Sequence, residues 1–597
     1  MAPYRAPRRD MAFVIHDLLR ATDHYRQMPV FAEIDAGLLD QTIDGATRFA
    51  ETVIAPLNAI GDEQGCRLVN GQVQTPTGFA DAYRQYVDGG WPTLGCSTAH
   101  GGQGFPALAH TAIVELLCGA NQSWTMFPIL SHGVYKIVSQ HASPALQAAW
   151  LPAIVDGTAT TTMLLTEAHC GSDLGLLRST ASPAPERDLP DTPAYRLRGS
   201  KIFISSADHD WTDNIVHMVL ARLPDAPPGV RGISLFLVPK RLPDGTVNGI
   251  TVTHVEHKMG LRGSATCSVT LDGAVGWLVG QPHQGLAAMF ILMNEARLNV
   301  GVQAIAVAQG AYDAALAYAR ERLQMRPSSG ARRPDLPADP IIHHADVRRM
   351  LLTQKARIEG GRMLGYWMSL CSDLESHHPD ETERRDAADL LALLTPVTKA
   401  FLSDKAFDDA NLALQVLGGH GYLRDHGIEQ RVRDVRIAQI YEGTNGVQAR
   451  DLLGRKILGD GGAKLGKLMR RIRDFLATQT CVEAMAPFTR PVAALADQYE
   501  QTLRDIVAAQ SRHRDASDAA AHDMLQALGH LCFGYLFAQA AALALPKADA
   551  ADPFHASKLE TARHYLTQLL PQADAHLAAA RSAAIEPVAL DEARLFG

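Results

Sequence analysis

YRLRGSKIFISS, Tyr195 to Ser206, decides the architecture, because it does not read as helix while the chain far to either side does. Tyr195 and Leu197 alternate with Arg196 and Arg198, and KIFI follows Gly199-Ser200. That pattern predicts two strand-like halves joined as a hairpin at Gly199-Ser200. Similar runs stand around it: MLLT, NIVHMVLARL, GISLFLVPK and ATCSVTL, with Gly, Pro, Asp or Asn between them. Together they predict a β-domain of roughly 120 residues.

Outward from it the periodicity is helical. In LLDQTIDGATRFAETVIAPLNAI, Leu38, Leu39, Ile43, Ala46, Phe49, Val53 and Ile54 recur mostly at three- and four-residue intervals. Downstream, ARLNVGVQAIAVAQGAYDAALAYARERL reads as one long helix with small residues for close packing. Two more long helices are predicted, ending near Gly418-Gly419 and before Gly443, which makes a four-helix bundle. The fold class is therefore α+β, mainly α. An N-terminal helical domain is expected at 1–160, the β-domain at 161–282, the bundle at 283–460 and an extra helical domain at 461–597.

A chain of 597 residues is too long for one core. Its formal net charge of −8 and pI near 6.3 disfavour nucleic-acid binding. The eight cysteines are scattered with no CxxC pair, which fits reduced thiols in a cytoplasmic protein and neither a zinc ribbon nor a disulfide framework. The His343-His344 pair reads as loop surface, and no metal site is expected. The basic start of MAPYRAPRRDMAFVIHDLL lacks a signal-peptide core, and Asp10 and Asp17 count against a transit peptide. FGYLFAQAAALAL is shorter than the about 18 apolar residues a membrane span requires, so it reads as a buried amphipathic helix and no transmembrane segment is predicted.

Four stretches carry chemistry: MLLTEAHCGSDLG (163–175), GSKIFISSADHD (199–210), QVLGGHGY (415–422) and QIYEGTNGVQ (439–448). In this order, across helical, β and helical regions, they resemble the acyl-CoA dehydrogenase family of flavoenzymes over roughly Met11 to Lys456. The opening segment, RLQMR and the C-terminal extension are similar to a subgroup of long chains whose best-known activity is 3-(methylthio)propanoyl-CoA dehydrogenation. Some relatives of that size act on ordinary fatty acyl-CoAs.

The resemblance implies a noncovalent FAD. Thr166 would hydrogen-bond the flavin ring, and Ser172 would meet the pyrophosphate and the CoA portion of the substrate. Phe203 stands where the family has a tryptophan over the flavin, and Ser205 where it has a threonine near N5. Arg322, Gln415, Gly418 and Gly419 would hold the adenine-nucleotide part of an FAD bound mainly by a neighbouring subunit. Thr444 and Asn445 would touch FAD, Asn294 and Arg297 would line the substrate pocket, and Gly443 would leave room for the thioester. The family's Glu-Pro with small residues is here Glu167, Ala168, His169 and Cys170, and LDGAVGWLVG replaces an acidic, valine-rich strand. The physical logic agrees: glycine and N–H donors suit a pyrophosphate, and an aromatic ring suits a flat, partly apolar cofactor.

Glu442 is the expected catalytic base. Desaturation removes an α proton and a β hydride, and a carboxylate manages this only if the thioester oxygen sits on strong donors. By resemblance these are the Glu442 backbone N–H and a ribityl hydroxyl, and burial against substrate would raise the carboxyl pKa. The position used for the base in other branches of the family is Ala296 here, and Glu295 lies about 100° further round its helix. The implied partners are an acyl-CoA, an electron-transferring flavoprotein as acceptor, and a second copy in a homo-oligomer, most simply a dimer. The rivals are an acyl-CoA oxidase, or a catalytically silent acyl-CoA or flavin scaffold, which would have no use for Glu442.

Overall fold

The computed structural model describes residues 4–549, 551–585 and 592–597. The chain packs as two compact units. One contains residues 4–6 and 33–299; the other contains residues 7–32 and the described residues from 300 onward.

The first unit is helical up to Val155, with α1 (Ala107–Thr125) and α2 (Ser131–His141) beside a small hairpin, Arg67–Val69 with Gln72–Gln74. Seven strands follow: β1 (Ala159–Leu164), β2 (Thr180–Pro183), β3 (Ala194–Ser205), β4 (Asn214–Arg222), β5 (Ile233–Pro239), β6 (Ile250–Val255) and β7 (Thr266–Val279). The order is β1-β4-β2-β3-β7-β5, with β6 on β7 and β5 also paired to β4. The β2-β3-β7-β5-β4 pairings thus close on themselves, which removes most open edges. β4 and β5 are nearly all buried and β-branched or aliphatic, so they form the centre of this core.

The predicted hairpin is not there. β3 runs straight through Gly199 as one strand paired along β7. Gly199 has φ 147°, and a Cβ there would lie 2.3 Å from Ser179 Oγ. It is glycine because Ser179 packs directly against it, a use of strand glycine that sequence alone does not separate from a turn.

A single helix, α3 (Gly285–Glu321), leads out of this unit. In the second unit, α4 (Ala345–His377) and α5 (Glu381–Leu417) pack with the end of α3 around Ala304, Ala308, Ala311, Ala406 and Ala410. The predicted last bundle helix before Gly443 is instead a short helix, Ile428–Val435, running into a 3-10 turn, Arg436–Gln439. Bulk apposed to α4 and α5 comes from the C-terminal region, whose helix α7 (Ala516–Ala544) lays Phe533 against Gly360 and takes Phe401 against Gly529. Of the described helices, 516–547 alone is long and apolar enough to cross a membrane, but most of it is buried in this unit. It is apolar on all sides rather than amphipathic, as a central core helix is.

The N-terminal segment belongs to this second unit. Asp10 receives hydrogen bonds from Arg362 of α4 and from Lys558 of α8 (Phe554–His564), and Lys558 also pairs with Glu359 at 3.0 Å. Phe13 packs edge-on against Phe554, and the Tyr25 hydroxyl donates to Asp373 at 3.2 Å. The first residues and the C-terminal extension are thus joined through shared buried charges.

Close crossings set a test. A Cβ on Gly301 would lie 2.5 Å from the Thr398 carbonyl oxygen, a backbone atom that cannot swing aside. Gly301→Ala is expected to cost about 1–3 kcal/mol, read as a lowered urea midpoint at unchanged slope.

Candidate active site

In the first unit, the predicted flavin-facing residues gather where β1 and β3 end. Thr166 is half-buried, and its carbonyl accepts from the Ile202 N–H at 2.9 Å. Phe203 follows in a bulge between Lys201 and Ile204, with φ 59° and 61% of its surface exposed. A bulky residue with positive φ is uncommon and is sustained only by its surroundings. Being so exposed, the Phe203 ring is not part of the core. Ser205 is half-buried beside it, and Ser172 is exposed on the preceding loop.

Two residues before Phe203 stands one member of an ion pair that sequence reasoning missed. Lys201, fully buried, donates to the Leu165 carbonyl at 3.1 Å, the Glu167 carboxylate at 2.9 Å and the Leu220 carbonyl at 2.9 Å. Glu167 also accepts from the Ser179 hydroxyl at 2.6 Å and from the N–H groups of Arg178 and Ser179. Burial would raise the Glu167 pKa, but Lys201 and these hydrogen bonds outweigh it and bring it down to about 2. Thr166 lies between two of the groups that Lys201 grips. The one available signal was a lysine inside a strand otherwise reading as half-buried.

On α3, Arg297 is buried and donates to Asn294 Oδ1 at 3.4 Å, one turn away, with Phe290 under its guanidinium. Glu295 points elsewhere: it pairs with His132 Nδ1 at 2.7 Å and Lys136 Nζ at 2.9 Å, and Ala296 is buried. His110, His132 and Glu295 come close enough to suggest a metal site, as do Glu167, His169 and Cys170. In the first group both His132 nitrogens already have oxygen partners, Nδ1 the Glu295 carboxylate at 2.7 Å and Nε2 the Gly95 carbonyl at 3.1 Å. In the second, Glu167 is committed to Lys201.

In the second unit, the end of α5 opens into a polar, solvent-facing cradle. Gly418 has φ 60° and ψ −139°, a glycine conformation, and a Cβ added at Gly418 or Gly419 would meet nothing within 4 Å. Gln415 and Arg322 are exposed. Arg322 is tied to this end through Tyr318, whose carbonyl accepts the Arg322 N–H at 2.9 Å and whose hydroxyl meets His420 Nδ1 at 2.8 Å. Open backbone beside an arginine fits the phosphate groups of a dinucleotide.

The loop bearing Glu442 lies further along this unit. The N–H groups of Ile440 and Tyr441 end the preceding turn on the Ile437 carbonyl. Glu442 then takes φ 58° and Gly443 φ 85°. Thr444 caps the short helix α6 (Asn445–Arg450), accepting from Val447 N–H at 3.4 Å. The Asn445 side chain turns into α5: its amide donates to Asp404 Oδ1 at 2.7 Å and Ser403 Oγ at 3.0 Å, and its oxygen accepts from buried Lys399 at 2.7 Å. Tyr441 donates to Gln303 Oε1 at 2.7 Å. Glu442 is thus flanked by pinned neighbours, and the Asn445 side chain acts as one of the pins.

A helical region, a seven-stranded sheet and a further helical region, in that order along the chain, mark a flavin-dependent dehydrogenase class. Family models named acyl-CoA dehydrogenase N-terminal, middle and C-terminal domain match residues 39–158, 162–274 and 283–458, and one named acetyl-CoA dehydrogenase C-terminal like matches 468–591. The 3-methylmercaptopropionyl-CoA dehydrogenase of Ruegeria pomeroyi is 38% identical over 96% of this chain and 97% of its own. A butyryl-CoA dehydrogenase of Syntrophomonas wolfei is 34% identical over 94% of each. The structure of an acyl-CoA dehydrogenase complexed with FAD from Bacillus anthracis superposes with TM-score 0.73 at 19% identity, covering 96% of this chain and 92% of that one. The chain belongs to the acyl-CoA dehydrogenase family: it is an FAD-dependent oxidoreductase acting on the CH–CH bond of an acyl-CoA.

Two outcomes follow from the geometry. Lys201→Met leaves the buried Glu167 carboxylate unpaired and is expected to cost about 3–5 kcal/mol. Because the folded Glu167 pKa is depressed from 4.5 to about 2, its contribution is complete above pH 4.5 and is lost as pH falls toward 2. A melting-temperature series across that window, with Glu167→Gln as control, reads both. Glu442→Gly should leave the melting temperature unchanged or raised, since it removes a left-handed penalty of about 1–2 kcal/mol.

Proposed function

We propose that this enzyme converts a short acyl-CoA to its trans-2-enoyl-CoA with Glu442 as base, and that its preferred substrate class is the 3-(methylthio)propanoyl thioester. The observation that carries the base assignment is the conformation of Glu442, a side-chain-bearing residue held at φ 58° beside a glycine at φ 85°. Backbone strain of this kind persists where surrounding structure over-determines it, and it clusters at active sites. The substrate class is supported by the 38% identity, nearly end to end, with the Ruegeria pomeroyi enzyme of that name.

FAD supplies, when bound, the two-electron oxidant that takes the hydride from Cβ. The protein's part is to take the α proton onto the Glu442 carboxylate as the Cα–Cβ double bond forms. The Glu442 N–H steadies charge on the thioester oxygen, and Gly443 keeps the space beside the main chain clear. Phe203, Thr166 and Ser205 would hold the flavin ring. Ser172, Arg322, Gln415, Gly418, Gly419 and Thr444 would hold the rest of the cofactor, Asn445 fixing the last of these by pinning its loop. Asn294 and Arg297 would line the substrate pocket. An electron-transferring flavoprotein is the proposed acceptor, a homodimer the proposed assembly and the cytoplasm the proposed compartment. The domain boundaries at 160, 282 and 460 stand as the proposed division of the chain.

Glu442→Gln should keep FAD and lose at least about 100-fold in kcat, the range of a positioned general base. Flavin bleaching by acyl-CoA without oxygen reads this directly, and full bleaching in the variant overturns the base. A panel from propanoyl- to palmitoyl-CoA should give the highest kcat/KM to 3-(methylthio)propanoyl-CoA. A preference for palmitoyl-CoA overturns the substrate class.

A further inference from the structure

We infer that Gln448 is the positioning residue of the base: its side-chain amide locks the left-handed backbone that aims Glu442. This rests on Glu442 being the base. Gln448 stands on α6, is 1% exposed, and reaches back across the loop. Its Nε2 donates to the Glu442 carbonyl at 3.2 Å and lies 3.5 Å from the Gly443 carbonyl oxygen. Two carbonyl oxygens on one side settle which end of the amide faces them, because an amide oxygen there would repel both.

Three further facts make this contact specific to the loop's shape. Two successive left-handed residues turn the carbonyls of 442 and 443 toward one point, which a single NH2 group can serve. Gly443 must lack a side chain for this, since a Cβ would stand 2.7 Å from Gln448 Nε2. And α6 is held in place from its other end, by the Thr444 cap and by Asn445 on Lys399 and Asp404. Gln448 therefore reports the position of a fixed helix to the backbone of Glu442.

The amide does this at little net gain in stability. Its Oε1 is buried with no hydrogen-bond partner among the described residues. An orphaned buried acceptor costs about as much as a neutral hydrogen bond contributes, so removing both ends of the amide together is nearly neutral. Gln448→Met, close in length and shape, should leave the fold alone and release the loop. That separates positioning from mere support.

The experiment uses the full-length holoenzyme. In Gln448→Met, FAD content is expected to stay at the wild-type level and the melting temperature within a few degrees. kcat with the best acyl-CoA of the panel should fall about 100-fold, the cost of roughly 1 Å of misplacement, with KM changed less than threefold. Gln448→Glu adds a pH signature. When protonated, its carboxyl can donate to the Glu442 carbonyl; when ionised, it repels it. The ratio of variant to wild-type kcat should therefore rise as pH falls. A kcat within threefold of wild type in Gln448→Met, a loss that tracks lost FAD or melting temperature, or a pH-independent ratio in Gln448→Glu overturns the inference. Glu442→Gln, run alongside, separates the two readings. If it is active, both fail; if it is inactive while Gln448→Met is fully active, only the role of Gln448 fails.

Discussion

Backbone in the left-handed region exposes its carbonyls to wherever the chain turns, and a side-chain-bearing residue stays there only if those groups find partners. Near two such residues, Phe203 and Glu442, a buried polar side chain grips carbonyls of the chain, at Glu442 the residue's own and at Phe203 those of flanking segments. At Phe203 the surrounding loop is gripped by Lys201, which donates to Leu165, Glu167 and Leu220. At Glu442 the same function falls to the Gln448 amide. Each of these side chains lies close in sequence to the left-handed residue, on an element anchored elsewhere.

The second unit shows how a long chain supports such a loop. Glycines let helices cross at close range: Gly301 at Thr398, Gly360 at Phe533, Gly529 at Phe401. Phe401 belongs to the same helix that carries Lys399, the partner of Asn445. Asp404, on that helix too, accepts from Gln439, Asn445 and Gln526, so one carboxylate joins the loop before Glu442, the helix after it and the C-terminal extension. This gives the extension a physical role in the same unit as the candidate base. The Asp10, Glu359, Arg362 and Lys558 cluster does likewise for the first residues of the chain. Buried charges of this kind are poor sources of stability but strict about which groups may meet.

Much of the fold was legible because it is periodic. The long helix α3, the helical extension and the strand-rich middle follow from 3.6- and 2-residue patterns that are local properties of the chain. The hairpin at Gly199 was misread because the glycine serves Ser179, a neighbour across the sheet, and a strand glycine looks the same in either use. The last bundle helix was misread because RVRDVRIAQ has helical composition, yet its chain must tighten to bring Glu442 out of the helix. Among site residues, the four motifs marked Thr166, Phe203, Gly418 and Glu442 through resemblance. Lys201 and Gln448 lay inside those same motifs, but nothing local distinguishes a lysine or glutamine that grips carbonyls from one that faces solvent.

The sequence by itself determined the order of helical and strand regions, the family and the identity of the candidate base, since composition, period and motif are written along the chain. Only the tertiary structure decided that Phe203 and Glu442 sit in left-handed backbone, that Glu295 is engaged by His132 and Lys136, and that the Asn445 side chain turns inward. Each of these depends on which distant groups meet, and hydrogen-bond partners across a sheet or between helices are set by packing rather than by neighbours in sequence.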